Sequence, residues 1–234
     1  MKNHQNQEFQ FYQGVVIYPL IFVMLMWIVF WLEIRFNLNF TPSGIYPRRF
    51  SGLQGVLFSP FIHGSLKHLF NNSIPILALT AALFYFYRKV AWRVLFFIAI
   101  GGGLLTWIVA RPSYHIGASG VVYGLASFLF FKGIWSKHYR LTALSLIVVF
   151  IYGSLVWGTM PLDPSMSWEG HLSGFIVGLI LAFAVRQKIA APKKYEWEKE
   201  DFDEENDPFL KQFDADGNFI DLPEDDEIEE EKLD

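Results

Sequence analysis

The stretch Ile116-Gly117-Ala118-Ser119-Gly120-Val121-Val122-Tyr123-Gly124-Leu125-Ala126-Ser127-Phe128-Leu129-Phe130-Phe131 decides how this chain is read. It carries no charge and approaches the length of about 17–25 residues with which a helix crosses a bilayer core. Its small and hydroxylated residues crowd the first turns, and its aromatic residues close the end. Uncharged apolar stretches recur at Val15–Trp31, Leu69–Tyr87, Val94–Ala110, Leu141–Trp157 and His171–Val185. The set predicts an all-α, polytopic membrane protein built as a six-transmembrane-helix bundle. The first stretch is read as a retained helix rather than a signal peptide. Only Lys2 is basic ahead of it, and it ends in Phe30 and Trp31 without a small-residue cleavage site.

Composition agrees with that reading. Of 234 residues, 53% are hydrophobic and 18% charged, which excludes a wholly disordered chain and is too apolar for an ordinary soluble domain. The net charge of −4 hides a division: residues 196–234 hold 19 of the 23 acids and three of the 19 bases, a local charge of −16 against +12 elsewhere. Before that point the acids are Glu8, Glu33, Asp163 and Glu169. The chain therefore divides into a short cytoplasmic N-terminus (1–14), a membrane domain (15–190) and an acidic cytoplasmic tail (191–234). The tail has too little apolar surface to offset the entropy of ordering and is expected to be disordered. Asp214, Asp216 and Gly217 share part of a calcium-loop pattern, but the ligand spacing and closing Glu are missing, so a solvated turn is the reading. With no cysteine, disulfides and thiolate chemistry are excluded.

Short basic loops stay on the cytoplasmic side of a membrane. Arg88, Lys89 and Arg93 lie between spans two and three, Lys132, Lys137 and Arg140 between four and five, and Arg186, Lys188, Lys193 and Lys194 after span six. Both termini are then expected to be cytoplasmic, and spans two, four and six to begin at the outer face.

Polar side chains inside a span are costly and call for a partner or a function. Three groups stand at the outer starts of those spans: His68 with Asn72, Ser119, and His171. Counting at 1.5 Å per residue from the basic residues at the inner ends, Ser119 lies roughly 20 Å up, His171 roughly 22 Å and Asn72 roughly 24 Å, within a core of about 30 Å. Three separate helices thus bring polar groups to nearly one level. A serine hydroxyl becomes a nucleophile when a neighbouring base removes its proton, and histidine titrates near neutrality. Ser119 and His171 supply that pair, and with no Asp or Glu expected in any span they would act as a dyad. Tyr123, one turn from Ser119, is the ring expected to stack on the imidazole. The Asn72 amide, the His68 imidazole and the Ser119 backbone N–H can donate to an oxyanion. Gly120 and Gly124 on span four and Gly174 and Gly178 on span six form Gly-x-x-x-Gly pairs that allow the two helices to approach closely. Each signal alone has an inert reading: small residues start many membrane helices, and His68 with Asn72 could simply tie the outer loop to span two. His115 is a rival base one turn before Ser119, His63 is read as bonded within the first outer loop, and His138 and His4 fall on the wrong side.

Taken in order, His63-Gly-Ser-Leu-Lys-His68-Leu-Phe-Asn-Asn72, Gly117-Ala-Ser119-Gly-Val-Val-Tyr123-Gly and Gly170-His171-Leu-Ser-Gly174-Phe-Ile-Val-Gly178 resemble the rhomboid family of intramembrane serine proteases, over about residues 10–190. The resemblance implies Ser119 as nucleophile, His171 as base and then acid, Tyr123 stacked on it, and His68 and Asn72 as oxyanion donors. It further implies hydrolysis of transmembrane protein substrates near the outer face, small side chains at the cut, and a plasma or bacterial inner membrane location. The bilayer and those substrates are the expected partners, with no cofactor, no metal and no nucleic acid. Many family members carry a Trp-Arg pair in the first outer loop where this chain reads Tyr46-Pro47-Arg48-Arg49-Phe50. One of these arginines replaces that residue, or both sit at lipid headgroups. The loop 158–169 is irregular enough to act as a lid. The readings set against proteolysis are a rhomboid-like factor that binds or escorts membrane helices without cutting them, and a small-solute transporter, which should show ionisable residues at mid-depth or interrupted helices in paired positions that this sequence does not show.

Overall fold

The computed structural model describes residues 9–163, 166–187, 195–214 and 216–220. Its contacts divide into two units, residues 1–191 and 192–234. The first unit is helical: α1 (Gly14–Phe36), the single turn α2 (Gly55–Phe58), α3 (Leu66–Phe86), α4 (Ala91–Val109), α5 (Ser119–Ile134), α6 (Tyr139–Tyr152) and α7 (Trp168–Ala184). Among the described residues there is no strand, only the single bridge Ile45–His115 in this unit.

Each apolar stretch read from the sequence falls on a helix, but their lengths differ in a way hydropathy did not reveal. α1, α3, α4 and the segment Tyr139–Thr159 are long and apolar enough to cross a membrane, whereas α5 and α7 have 16 and 17 residues. At 1.5 Å per residue these two rise only about 24–26 Å, less than a core of about 30 Å. α5 and α7 are also the helices that open with Ser119 and three residues before His171.

α5 lies at the centre, with α3, α4, α6 and α7 packed around it and α1 outside against α3. Val121, Val122, Leu125, Phe128 and Leu129 of α5 are buried against Leu69, Ile76, Leu79 and Leu83 of α3 and Val94, Leu95 and Ile98 of α4. The outward faces of the peripheral helices are apolar too, as Phe150 of α6 (91% exposed) and Met24, Ile28 and Trp31 of α1 show. A bundle apolar inside and out suits lipid rather than water as its surround.

α5 and α7 meet backbone to backbone. A Cβ added to Gly174 would overlap the Gly120 carbonyl oxygen, and one added to Gly178 would overlap that of Gly124. Both Gly-x-x-x-Gly pairs therefore face each other, and the contact is closed to any larger residue. At the opposite end Lys132 of α5 donates from Nζ to the Ala182 carbonyl at 3.1 Å and to that of Val185, capping the last turn of α7 across the interface.

In the second unit the described residues form short 3₁₀ turns at Glu196–Glu198 and Leu210–Gln212 and a Phe213–Phe219 bridge. Asp214 Oδ1 accepts the N–H groups of Asp216 (2.9 Å) and Asn218 (2.7 Å), and its Oδ2 accepts the Asn218 amide (3.0 Å). This is a turn held by its own carboxylate. Among the described residues no group of His, Asp and Glu is arranged to hold a metal ion. Residues 221–234, the rest of the tail that the composition marks as acidic, lie outside the described residues.

Candidate active site

The beginnings of α3, α5 and α7 converge on one chamber. Gly117, at φ +103°, turns the chain into α5, a conformation that glycine adopts without the Cβ penalty. A Cβ there would also lie 2.6 Å from His68 Nε2 and 3.4 Å from Asn72 Nδ2, so the absent side chain is what lets α3 come close. Ser65 caps α3 by accepting the His68 N–H at 3.2 Å, which sets His68 and Asn72 one turn apart on that side.

His171 Nε2 lies 2.8 Å from Ser119 Oγ, and His171 Nδ1 lies 2.8 Å from the Gly158 carbonyl oxygen. A carbonyl only accepts, so Nδ1 carries the proton, and in the neutral ring Nε2 is left with its lone pair toward the hydroxyl. Ser119 therefore donates to His171. The ring is stacked on Tyr123 at 4.3 Å with 7° between planes, and it is buried. Gly158 comes from the 3₁₀ segment Gly153–Thr159 that continues α6, and a Cβ on it would overlap the Tyr123 hydroxyl. Asn72 is buried and, among the described residues, its Nδ2 has no hydrogen-bond partner, an open donor. A buried N–H of this kind is costly unless something arrives to accept from it.

The other histidines separate from this pair. His115 accepts from the Ser167 hydroxyl at Nδ1 (2.6 Å) and donates from Nε2 to the Arg111 carbonyl (3.1 Å), so its lone pair is committed to Ser167 and not to Ser119. Burial lowers the pKa of His115 below the usual histidine value. His63 donates from Nδ1 to the Phe61 carbonyl at 3.3 Å, within the first loop, and its ring meets that of His68 edge-on at 4.9 Å. Burial, with His68 beside it, lowers its pKa to about 4. His138 caps α6 by accepting the Arg140 N–H. His4 lies outside the described residues.

Three features were not legible beforehand. Glu169, counted from the sequence as a loop acid, is in the first turn of α7 and only 4% exposed. So the bundle does hold a buried carboxylate at the start of a helix, and Glu33 lies within α1, against the expectation of no Asp or Glu in the apolar helices. Glu169 Oε1 accepts the Arg111 backbone N–H at 3.3 Å and pairs with Arg111 Nε at 3.6 Å, while Arg111 Nη2 donates to the Met166 carbonyl at 2.6 Å. A polar clasp thus joins the α4–α5 connection to the start of α7. Second, Arg48, itself at φ +57°, donates from Nη1 to the carbonyls of Ile108 (3.2 Å) and Ala110 (2.9 Å), the open carbonyls at the end of α4. Arg49 instead stacks over Tyr46 at 4.5 Å, so the two adjacent arginines do different work. Third, the third partner of the imidazole is the backbone of Gly158, for which no side-chain pattern exists. Of the lid expected over 158–169, Pro164 and Ser165 lie outside the described residues.

Ser119 and His171 open onto a cavity of about 780 Å³, also lined by Lys67, His68, Arg111 and His115. A second, smaller cavity of about 40 Å³ touches Ser119, Gly120, Thr106 and Gly170.

An all-helical bundle with a lipid-compatible surface and a polar chamber at one end defines an integral membrane protein. The rhomboid domain model matches residues 51–188, and the chain belongs to the rhomboid family. It is similar to an uncharacterized protein of Mycobacterium tuberculosis, 32% identical over 191 residues that cover 75% of each chain. An uncharacterized protein of Mycobacterium leprae is 31% identical over 197 residues, 77% of this chain and 73% of that one. RHOMBOID-like protein 5 of Arabidopsis thaliana is 28% identical over 142 residues, 57% of this chain and 45% of that protein.

Proposed function

We propose that this protein is an intramembrane serine endopeptidase that hydrolyses peptide bonds of transmembrane substrate helices, with Ser119 as nucleophile and His171 as base. The observation that carries the reading is the 2.8 Å approach of His171 Nε2 to Ser119 Oγ while Nδ1 is occupied by the Gly158 carbonyl. This polarity is the one in which the hydroxyl loses its proton to the ring. Ser119 Oγ forms the bond to the scissile carbonyl carbon as its proton passes to His171 Nε2. The Asn72 amide, His68 and the Ser119 N–H stabilise the oxyanion. His171 then protonates the departing amine nitrogen as the peptide bond breaks. Water, deprotonated by His171, releases the acyl group and restores Ser119. Tyr123 and the Gly158 carbonyl hold the ring in place of a carboxylate.

The short α5 and α7 support a bundle of six spans in which these two start below the outer surface, so that water reaches the chamber from that side. The basic loops support cytoplasmic termini, with a membrane domain over 15–190 and the acidic tail in the cytoplasm, in a plasma or bacterial inner membrane. The 40 Å³ cavity beside Ser119 suits a small side chain next to the cut.

The test is cleavage of a single-span reporter by the purified protein in liposomes beside Ser119→Ala and His171→Ala. Loss of cleavage in both variants, with folding intact, supports the dyad. Equal cleavage by wild type and Ser119→Ala overturns it, and tight binding of the reporter without serine-dependent turnover favours an escort that does not cut.

A further inference from the structure

The lining of the chamber carries a charge that the proposed chemistry does not use. Among the described residues lining it are Lys67 and Arg111, the imidazoles of His68, His115 and His171, and the hydroxyls of Ser65, Ser113 and Ser167, and no carboxylate. Arg111 is already matched by Glu169 and by the Met166 carbonyl. Lys67 is not: it is exposed, and among the described residues no hydrogen bond or ion pair reaches it. Its position adds to the cost. With Ser65 as cap, Lys67 is the second residue of α3, where the unpaired N–H groups of a helix disfavour a cation. An ammonium held at the positive end of a helix, facing a chamber with no negative group among its described lining residues, is an unanswered charge beside His68.

We infer that Lys67 makes this site selective for substrates that carry an acidic side chain close to the scissile bond, the carboxylate pairing with the Lys67 ammonium inside the chamber. The inference rests on the proteolytic reading only in taking the chamber as the place where the substrate segment binds. A lipid phosphate is the competing anion, but Lys67 lines the same cavity as Ser119 and His171, which favours the occupant that must reach those two residues. Because the pair is solvent-accessible, its effect is modest, about two- to fivefold, and is screened by salt.

The experiment measures binding, so that it does not depend on turnover. Ser119→Ala protein in phosphatidylcholine liposomes is titrated with single-span peptides that differ at one position, scanned through the outer juxtamembrane segment, as Glu, Gln or Lys. At one or more positions Glu is expected to bind about two- to fivefold more tightly than Gln, and the preference to shrink with added salt. Lys67→Gln is expected to abolish it and Lys67→Glu to invert it toward the Lys peptide, with Gln-peptide binding showing that both variants fold. Equal binding of all three peptides at every position, or a Glu preference that survives in Lys67→Glu, overturns the inference. So does a Lys67-dependent gain that follows added phosphatidylglycerol equally for all peptides, which assigns the ammonium to lipid. Failure of the proteolytic reading shows separately, as wild-type protein that binds the peptides and leaves them whole.

Discussion

The carbonyl oxygen of Gly158 stands 2.8 Å from Nδ1 of His171, on the far side of the ring from Ser119. On the proposed proteolytic reading, a main-chain group occupies the place that a carboxylate holds in soluble serine triads. It fixes the tautomer as a carboxylate does, but it brings no full charge to the imidazolium. The arrangement depends on the absence of a side chain at residue 158, since a Cβ there overlaps the Tyr123 hydroxyl and comes within 3.3 Å of Nδ1. Gly158→Ala is therefore expected to lower turnover by about tenfold or more, because a displaced ring loses its aim at Ser119. Reporter cleavage by folded variant and wild type in liposomes measures this, and unchanged turnover would remove the carbonyl from the mechanism.

Ser119 and His171 act as one unit in the proposed reaction, so their losses do not add. Ser119→Ala, His171→Ala and the double variant are expected to share one background rate. Single-turnover assays compare the three. A double variant slower than both singles would show that the residues contribute independently.

Asn72 offers a buried N–H that no group among the described residues accepts from. An oxyanion donor acts on the transition state, and losing one costs about 10²–10³ in kcat in well-studied enzymes. Asn72→Ala is expected to reduce kcat by about 10² while leaving KM for the reporter little changed. A rise in KM with kcat intact would instead make Asn72 a substrate-binding residue.

The α5–α7 contact is a matter of stability rather than chemistry. Gly174→Val would drive a side chain into the Gly120 carbonyl, and overpacking of this kind costs about 1–3 kcal/mol or more. Thermal unfolding in detergent should fall clearly below wild type, with cleavage lost alongside it. Gly64→Val, which has open space around it with only Ile116 Cδ1 within 4 Å at 3.7 Å, is the control expected to unfold as wild type does.

His63 supplies a pH dependence with a definite sign. Its pKa falls from 6.5 to about 4, chiefly through burial, so the folded protein holds the neutral ring and the unfolded chain binds the proton more readily. Its contribution to stability is complete above pH 6.5 and is lost as pH falls from 6.5 toward 4. Melting temperature in detergent is expected to decline across that window, and His63→Asn to flatten the decline.

Much of this molecule was readable in advance. Each apolar stretch became a helix because a backbone surrounded by hydrocarbon must satisfy its own N–H and C=O groups, which leaves helix as the local solution. The close approach of the two helices bearing Gly120, Gly124, Gly174 and Gly178 follows from their Gly-x-x-x-Gly spacing. What the residues could not convey is how segments far apart in the chain meet. The residues leave Arg48 two roles, and its bonds to the Ile108 and Ala110 carbonyls choose between them. Glu169 reads as a loop acid, since an isolated carboxylate reads as exposed until Arg111 is brought beside it across 58 residues. The Gly158 carbonyl lay beyond sequence reading altogether, because every residue has a carbonyl and only the packed bundle selects which one faces an imidazole. The sequence by itself determined the helical elements and which polar residues stand at their starts, through properties local to each helix. The tertiary structure alone decided which carbonyl meets His171 Nδ1 and which groups partner Glu169 and Arg48, because those depend on the docking of loops whose contacts span the chain.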